Sequence, residues 1–291
     1  EEIFEMARAK IEEAGIDVES LESWEDFIRE GQRLTRPGER YMIELSDNNP
    51  GHFEMFLFQR NGGYFDANGE LIMDDEIALE TLKFFIPLVA GPRRIGSDLG
   101  SGRVFTQAIE TGYFLSFICP DWRSKLVETD IPRMAGKMAL MPLPAVMPGG
   151  RRTSTWGGTM LGITSACADP EMAWEVAMHM YFDKEQLAER FRETNILPPF
   201  KDAWELPAFR EPRSYWSNQS LGKLYAELAE QVPPQYTSPL IETAKTKMGG
   251  VISSCAAYYR EHGEEGFDAF SRARLKEAGD EIRQYIRRNP Y

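Results

Sequence analysis

Phe58-Gln59-Arg60-Asn61-Gly62-Gly63-Tyr64-Phe65-Asp66-Ala67-Asn68-Gly69-Glu70 is the run that decides how the rest of the chain is read. Residues 52–60 read as a helix, and it runs directly into a segment whose glycines and asparagines supply the positive-φ turns of a tight hairpin. A helix feeding a hairpin, with helical stripes and short apolar runs on either side, leaves mixed α/β as the class that fits.

Toward the N-terminus, Ile3, Met6, Ala7, Ile11 and Ala14 recur at three- and four-residue steps, which predicts an amphipathic helix over 2–14 ending at Gly15. Ser23 then caps a second helix whose stripe runs through Phe27, Ile28 and Leu34 and stops before Arg36-Pro37-Gly38. A short strand is expected over 41–45.

Toward the C-terminus, 74–89 is helical and ends at Gly91-Pro92, 103–110 is helical, and Gly112 introduces a continuous apolar run of strand type over 113–118. Pro120-Asp121-Trp122-Arg123 reads as a turn before a helix reaching about Glu128. Thr155-Trp156-Gly157-Gly158 reads as a glycine loop feeding a strand through Ile163, and Asp169-Pro170-Glu171 caps a helix to Phe182. The remainder is mainly helical, with breaks expected at Leu197-Pro198-Pro199, Pro233-Pro234 and Gly249-Gly250. Trp24 and Trp174 lie on helical apolar stripes and are assigned to the core.

The chain has 291 residues, 42% hydrophobic and 27% charged, so a sizeable core and about two domains are expected. A net charge of −13 repels phosphate backbones and anionic lipid heads, which argues against nucleic acid as a partner. No apolar run approaches the roughly 20 residues that span a bilayer. Cys119, Cys167 and Cys255 are odd in number and far apart, suiting small buried hydrophobes better than a disulfide framework or a metal pair.

Catalytic patterns do not assemble. His52, His179 and His262 each lack a second metal-type ligand at helical spacing. Thr164-Ser165-Ala166-Cys167 has no G-x-S-x-G elbow around it, and Gly100-Ser101-Gly102 and Gly149-Gly150 have neither P-loop nor G-x-G-x-x-G register. No enzymatic activity, no metal and no cofactor is therefore expected, with a glycosidase built on paired carboxylates as the rival reading.

Several motifs in order carry a resemblance. Ala14-Gly15-Ile16 with Ser23-Trp24-Glu25-Asp26-Phe27 and Leu34-Thr35, then Phe58 to Gly63 with Phe65 to Gly69, then Gly112-Tyr113-Phe114 to Trp122 come first. Pro142-Leu143-Pro144, Gly157-Gly158, Ala173-Trp174-Glu175 and Asn195-Ile196-Leu197-Pro198 follow. Over nearly its whole length the chain resembles the sugar-type, family 1 extracellular solute-binding proteins of ABC transporters. Cys119-Pro120-Asp121-Trp122 departs from the pattern, where a small residue and glycine more often precede the tryptophan. The βα segment with which family members open, and which usually supplies some ligand-binding side chains, is also missing before Glu1.

The resemblance implies a two-lobe periplasmic-binding-protein fold, type II-like, with the N-terminal part of one lobe missing. Residues 1–134 would begin the C-terminal lobe, 135–235 would return to the N-terminal lobe, and 236–291 would be closing helices of the C-terminal lobe. It implies capture of a small extracellular solute, a mono- or oligosaccharide, by hinge closure, and delivery to ABC transporter permease subunits. A monomer is expected, periplasmic or extracellular, with a lipoprotein anchor possible in the family. A carbohydrate-active enzyme, or the same fold holding a polyamine, phosphodiester or peptide, is the alternative.

Sugars present apolar C–H faces ringed by hydroxyls, so a cleft needs aromatic platforms and polar groups that pair each hydroxyl. Trp122 and Trp156 suit the platforms, and Asp121 suits a charge-assisted hydroxyl acceptor or a solvated turn acid. Gly157 and Gly158 would let backbone amides approach a ligand, or simply make a tight turn. His52 and Phe53 fall at a helix start that often faces the cleft in this family, but equally suit a cap with a buried aromatic. Asn195 and Tyr236, near proline breaks, complete the candidate set and could as well be core or surface residues.

Overall fold

The computed structural model describes residues 20–158 and 160–288. The helix expected over 2–14 and the Ala14-Gly15-Ile16 motif lie outside the described residues. Two compact units form: one from Glu1–Ile118, Leu143–Trp156 and Val232–Tyr291, the other from Cys119–Pro142 and Gly157–Gln231. The chain thus changes units after Ile118, Pro142, Trp156 and Gln231, whereas the sequence put crossings near 135 and 236.

In the first unit, α1 (Trp24–Leu34) starts from a capping box: the Asp26 backbone N–H donates to the Ser23 hydroxyl while the Asp26 carboxylate accepts from the Ser23 backbone N–H. Strand β1 (Ile43–Glu44) pairs in parallel with β2 (Gly96–Ser97), Ile43 opposite Gly96. The run 113–118 adjoins the other side of β1 through parallel bridges of Tyr41 to Phe114 and Glu44 to Phe117. Helix α2 (Pro50–Gln59), capped by Asn49, is buried from Gly51 to Gln59. The hairpin after it turns at Asn61 (φ 61°) and Gly69 (φ 79°) and closes with a bridge from Phe65 to Leu71. Gly62 is needed for a different reason: a Cβ there would lie 2.5 Å from Leu57 Cδ1.

Helix α3 (Glu76–Val89) packs on α2, and their aromatics form the unit's core. Phe56 stands 4.7 Å from Trp24 and 5.5 Å from Phe85, ring centre to ring centre. Helix α4 (Arg103–Glu110) falls where the sequence put it. Two long helices, α9 (Ile241–His262) and α10 (Phe267–Arg288), pack on one another and on α3. The break expected at Gly249-Gly250 does not occur. Both glycines instead sit inside α9, where a Cβ on Gly249 would stand at ordinary contact distance, 3.4 Å from the Asn48 carbonyl oxygen, and one on Gly250 would meet nothing, so space does not require glycine at either.

The second unit holds α5 (Asp121–Asp130), α6 (Pro170–Phe182), α7 (Lys184–Thr194) and α8 (Leu221–Ala229). Its core is built on Phe191, stacked 4.5 Å from Phe209, with Trp216 and Leu221 fully enclosed. Gly222 cannot carry a side chain, since a Cβ would come within 2.3 Å of the Phe209 carbonyl oxygen.

Two expectations fail here. No strand forms among the described residues of 155–163, and Met160 is 92% exposed; an apolar run gains its extended ladder only from a strand beside it. Trp174, expected in the core, is 57% exposed, and Ala177 is the buried residue of α6. The cysteines divide: Cys255 is buried, with burial pushing its thiol up to about 11, while Cys119 and Cys167 are half-buried, and all three are free.

Candidate functional site

The sequence-derived candidates separate between the two units. In the first unit, the Asn49 cap and Pro50 start α2 so that His52 falls in its first turn. His52 is buried, and its Nδ1 accepts the Ser46 backbone N–H at 2.9 Å, which assigns the proton to Nε2 in the neutral ring. The Trp156 ring meets His52 edge-on, centres 5.3 Å apart. Gly51 makes room for it: a Cβ on Gly51 would stand 2.8 Å from Trp156 Nε1. Phe53 points the other way, fully buried and edge-on to Phe85 at 5.8 Å, so the structure makes it part of the hydrophobic core. Tyr236 lies exposed in the coil before α9.

The segment carrying Trp156 is anchored from below by one amide. Gln59 donates from Nε2 to the Pro144 and Arg151 carbonyls, each at 2.8 Å, and its Oε1 accepts the Trp24 indole N–H at 2.8 Å. Ser154 adds a hydroxyl donation to the Met55 carbonyl at 2.7 Å. Strand-like chain with no ladder of its own is thereby fixed to α2 through side chains.

In the second unit, Asp121 and Trp122 occupy the first turn of α5, one turn earlier than the sequence suggested. Trp122 is 40% exposed. Asp121 is half-buried and both its oxygens are engaged: Oδ1 accepts the Trp122 N–H at 2.7 Å, and Oδ2 accepts the Leu197 N–H at 3.0 Å. Burial raises its pKa from the ordinary carboxylate range, against the lowering effect of those two amides. Burial likewise pushes the neighbouring Cys119 thiol up to about 12.

Asn195 is fully buried at the end of α7, in the left-handed conformation (φ 59°, ψ 6°) that asparagine tolerates as a helix C-cap. Its Nδ2 donates to Glu128 Oε1 at 2.7 Å, an oxygen that also accepts the Trp216 indole N–H at 2.9 Å. Gly157 and Gly158 are exposed at φ 92° and 152°, and a Cβ on either would meet nothing. Their requirement for glycine is therefore conformational, and they fall where the chain passes from one unit to the other.

The structure thus brings His52 together with Trp156, and Asp121 and Trp122 together with the 195–197 segment. Sequence reasoning missed Glu128, Gln59 and Gly51. For Glu128 a signal existed: it stands seven residues after Asp121, which places both carboxylates on one helix face.

A model of the bacterial extracellular solute-binding protein family matches residues 3–187. The arabinooligosaccharide-binding protein of Halalkalibacterium halodurans is 28% identical over 211 residues, covering 71% of this chain and 47% of that protein. The lactose-binding protein of Rhizobium radiobacter is 23% identical, covering 77% of this chain and 53% of that protein. The chain spans about half the length of the curated relatives it matches. Among solved structures, the galacto-N-biose-/lacto-N-biose I-binding protein of the ABC transporter from Bifidobacterium longum superposes with a TM-score of 0.72 at 13% identity, over 97% of this chain and 67% of that one. The ABC transporter associated binding protein of B. animalis subsp. lactis, in complex with β-1,6-galactobiose, gives 0.71 at 18% identity, over 97% and 70%. The fold is that of the two-lobe sugar-binding proteins, and these relatives are binding proteins.

Proposed function

Because the chain belongs to the bacterial extracellular solute-binding protein family, we propose that it serves as the substrate-capturing component of an ABC importer, closing two lobes over a mono- or oligosaccharide and transforming nothing. The first unit is read as the C-terminal lobe and the second as part of the N-terminal lobe. The observation that carries the reading is Trp122: an indole held 40% exposed on the first turn of a helix whose own acid pins its backbone. A flat apolar ring kept in water at a rigid position suits the C–H face of a sugar.

Trp156, seated on Gly51 and His52, is read as the platform of the other lobe, with Gly157 and Gly158 as one of the hinge crossings. Tyr236 is a further contact. Phe53 and Asn195, fully buried, are assigned to support. The relatives' names, arabinooligosaccharide- and lactose-binding, favour a neutral saccharide over a polyamine, phosphodiester or peptide. Permease subunits of the transporter are the protein partner, the working state is a monomer, and the place of action is the periplasm or cell exterior, with a lipid anchor as the form of attachment. No helix among the described residues is long and apolar enough to cross a membrane.

A thermal-shift screen over arabinotriose, lactose and galactobiose tests the proposal. Ligand at a hundred times its Kd stabilises the folded state by about 2.7 kcal/mol. Trp122→Ala should abolish the shift while the unliganded Tm stays near that of the parent. A Trp122→Ala protein that responds as strongly as the parent removes the platform. Loss of the sugar's mass on long incubation would replace a binder with a carbohydrate-active enzyme.

A further inference from the structure

Asp121 and Glu128 lie seven residues apart on α5, so they share one face of that helix, and each accepts a hydrogen bond from the chain leaving α7. Glu128 holds Asn195 through its side-chain amide, and Asp121 holds Leu197 through its backbone N–H. Glu128 is itself fixed by the Trp216 indole on one oxygen and by Lys125 Nζ, at 2.9 Å, on the other. Asn195 reaches Glu128 with its own oxygen left buried and unbonded, a cost that a loop free to move would relieve. Between the two tethered residues stands Ile196, turned outward and 41% exposed. The carboxylate that accepts the Leu197 N–H also accepts the Trp122 N–H, so one acidic group joins the backbones that carry both exposed apolar side chains.

We propose that Asp121 and Glu128 form a two-point latch that lays residues 195–197 along α5 and sets Trp122 and Ile196 as one solute-facing apolar surface, with Asp121 a positioning residue and Ile196 a specificity-determining one. The proposal rests on the sugar-binding reading for what the surface meets, but not for the latch itself. It assigns Asp121 away from direct hydroxyl pairing, since both its oxygens already serve backbone amides. Ile196 takes no hydrogen bond from a sugar; it offers an aliphatic wall beside the indole, which favours the ring face of a saccharide over an extended charged solute.

Hydrogen exchange and binding separate the parts. Asp121→Ala removes both acceptor oxygens, so the Leu197 amide should exchange at least tenfold faster, while amides in α8 keep their parent rates. Affinity for whichever of the screened sugars binds the parent should fall about tenfold in the same variant. Ile196→Ala should weaken that affinity severalfold and leave Leu197 exchange unchanged. An unchanged Leu197 rate in Asp121→Ala overturns the latch. If binding is lost while that rate stays put, Asp121 touches the solute directly and the positioning role is wrong; a uniform rise across the second unit makes Asp121 a general support and overturns it as well. Full affinity in Ile196→Ala removes the specificity role. A parent that binds no sugar sinks the function and the role of the apolar pair, while the exchange rate of Leu197 still decides the latch.

Discussion

At the scale of single residues, buried polar groups decide more than their number suggests, and Gln59 is the clearest case. Its amide satisfies the Trp24 indole and two carbonyls of the 143–156 segment at once. Gln59→Ala leaves those groups buried and unpaired, each costing about 1–3 kcal/mol, so a net loss of about 3 kcal/mol is expected, read as a lower urea midpoint with little change in slope. Glu54 behaves in the opposite sense. Burial raises its pKa above the usual carboxylate value, opposed by the Tyr64 hydroxyl, which donates to it at 2.8 Å, and by Lys245, and reinforced by Glu242. A carboxyl whose folded pKa is raised contributes most stability when protonated, and that contribution is lost as pH rises through the folded value. Glu54→Gln keeps an acceptor for Tyr64 and removes the buried charge, so it should raise Tm at pH 7, with the gain closing as pH falls below about 4.3. An equal gain at pH 7 and pH 4 would exclude the charge as its cause.

At the scale of elements, capping chemistry was legible and burial only in part: Trp24 is in the core as its stripe implied, and Trp174 is not. Ser23 and Asp169 each begin the helix expected after them, because a side-chain oxygen at an N-cap acts locally. Gly249-Gly250 misled because a glycine costs a helix interior only about 1 kcal/mol, which the packing of α9 on α10 and α3 offsets. Trp174 misled for a related reason: an apolar stripe records what a helix can bury, and only the neighbours decide whether it does. Helix α6 shows Met172, Trp174, Val176, Met178 and Phe182 to solvent, around most of its circumference. Such a surface exceeds what scattered exposed apolar residues provide and should bind a hydrophobic dye such as ANS. Trp174→Gln with Met178→Gln should remove most of that fluorescence and leave the far-UV circular dichroism unchanged; dye binding that survives both changes would place the patch elsewhere. In the candidate site the same division holds. Trp122 and Trp156 were visible as aromatics beside small residues, whereas the bonds by which Glu128 holds Asn195 and Gln59 holds the segment carrying Trp156 span 67 and 85 residues and leave no local trace.

At the scale of the whole molecule, the functional reading requires the chain to bend where it passes between units, and Gly157-Gly158 is the crossing whose chemistry suits bending. Both residues hold φ values that L side chains rarely adopt, both are exposed, and neither has a neighbour that a Cβ would strike. Their substitution therefore acts on backbone freedom alone, without disturbing packing. Gly157→Ala with Gly158→Ala should cost about 1 kcal/mol or more of stability through strain at positive φ. If hinge closure supplies the contacts that hold the solute, the same variant should also lose affinity, because ligand can shift the open and closed populations only through contacts that differ between them. Small-angle scattering with saturating sugar should then show less compaction than in the parent, together with a higher Kd by calorimetry. Compaction equal to the parent's, at a Kd unchanged, would mean that the crossing at 157–158 is a passive turn and that closure bends the chain at the other changeovers, after Ile118, Pro142 or Gln231.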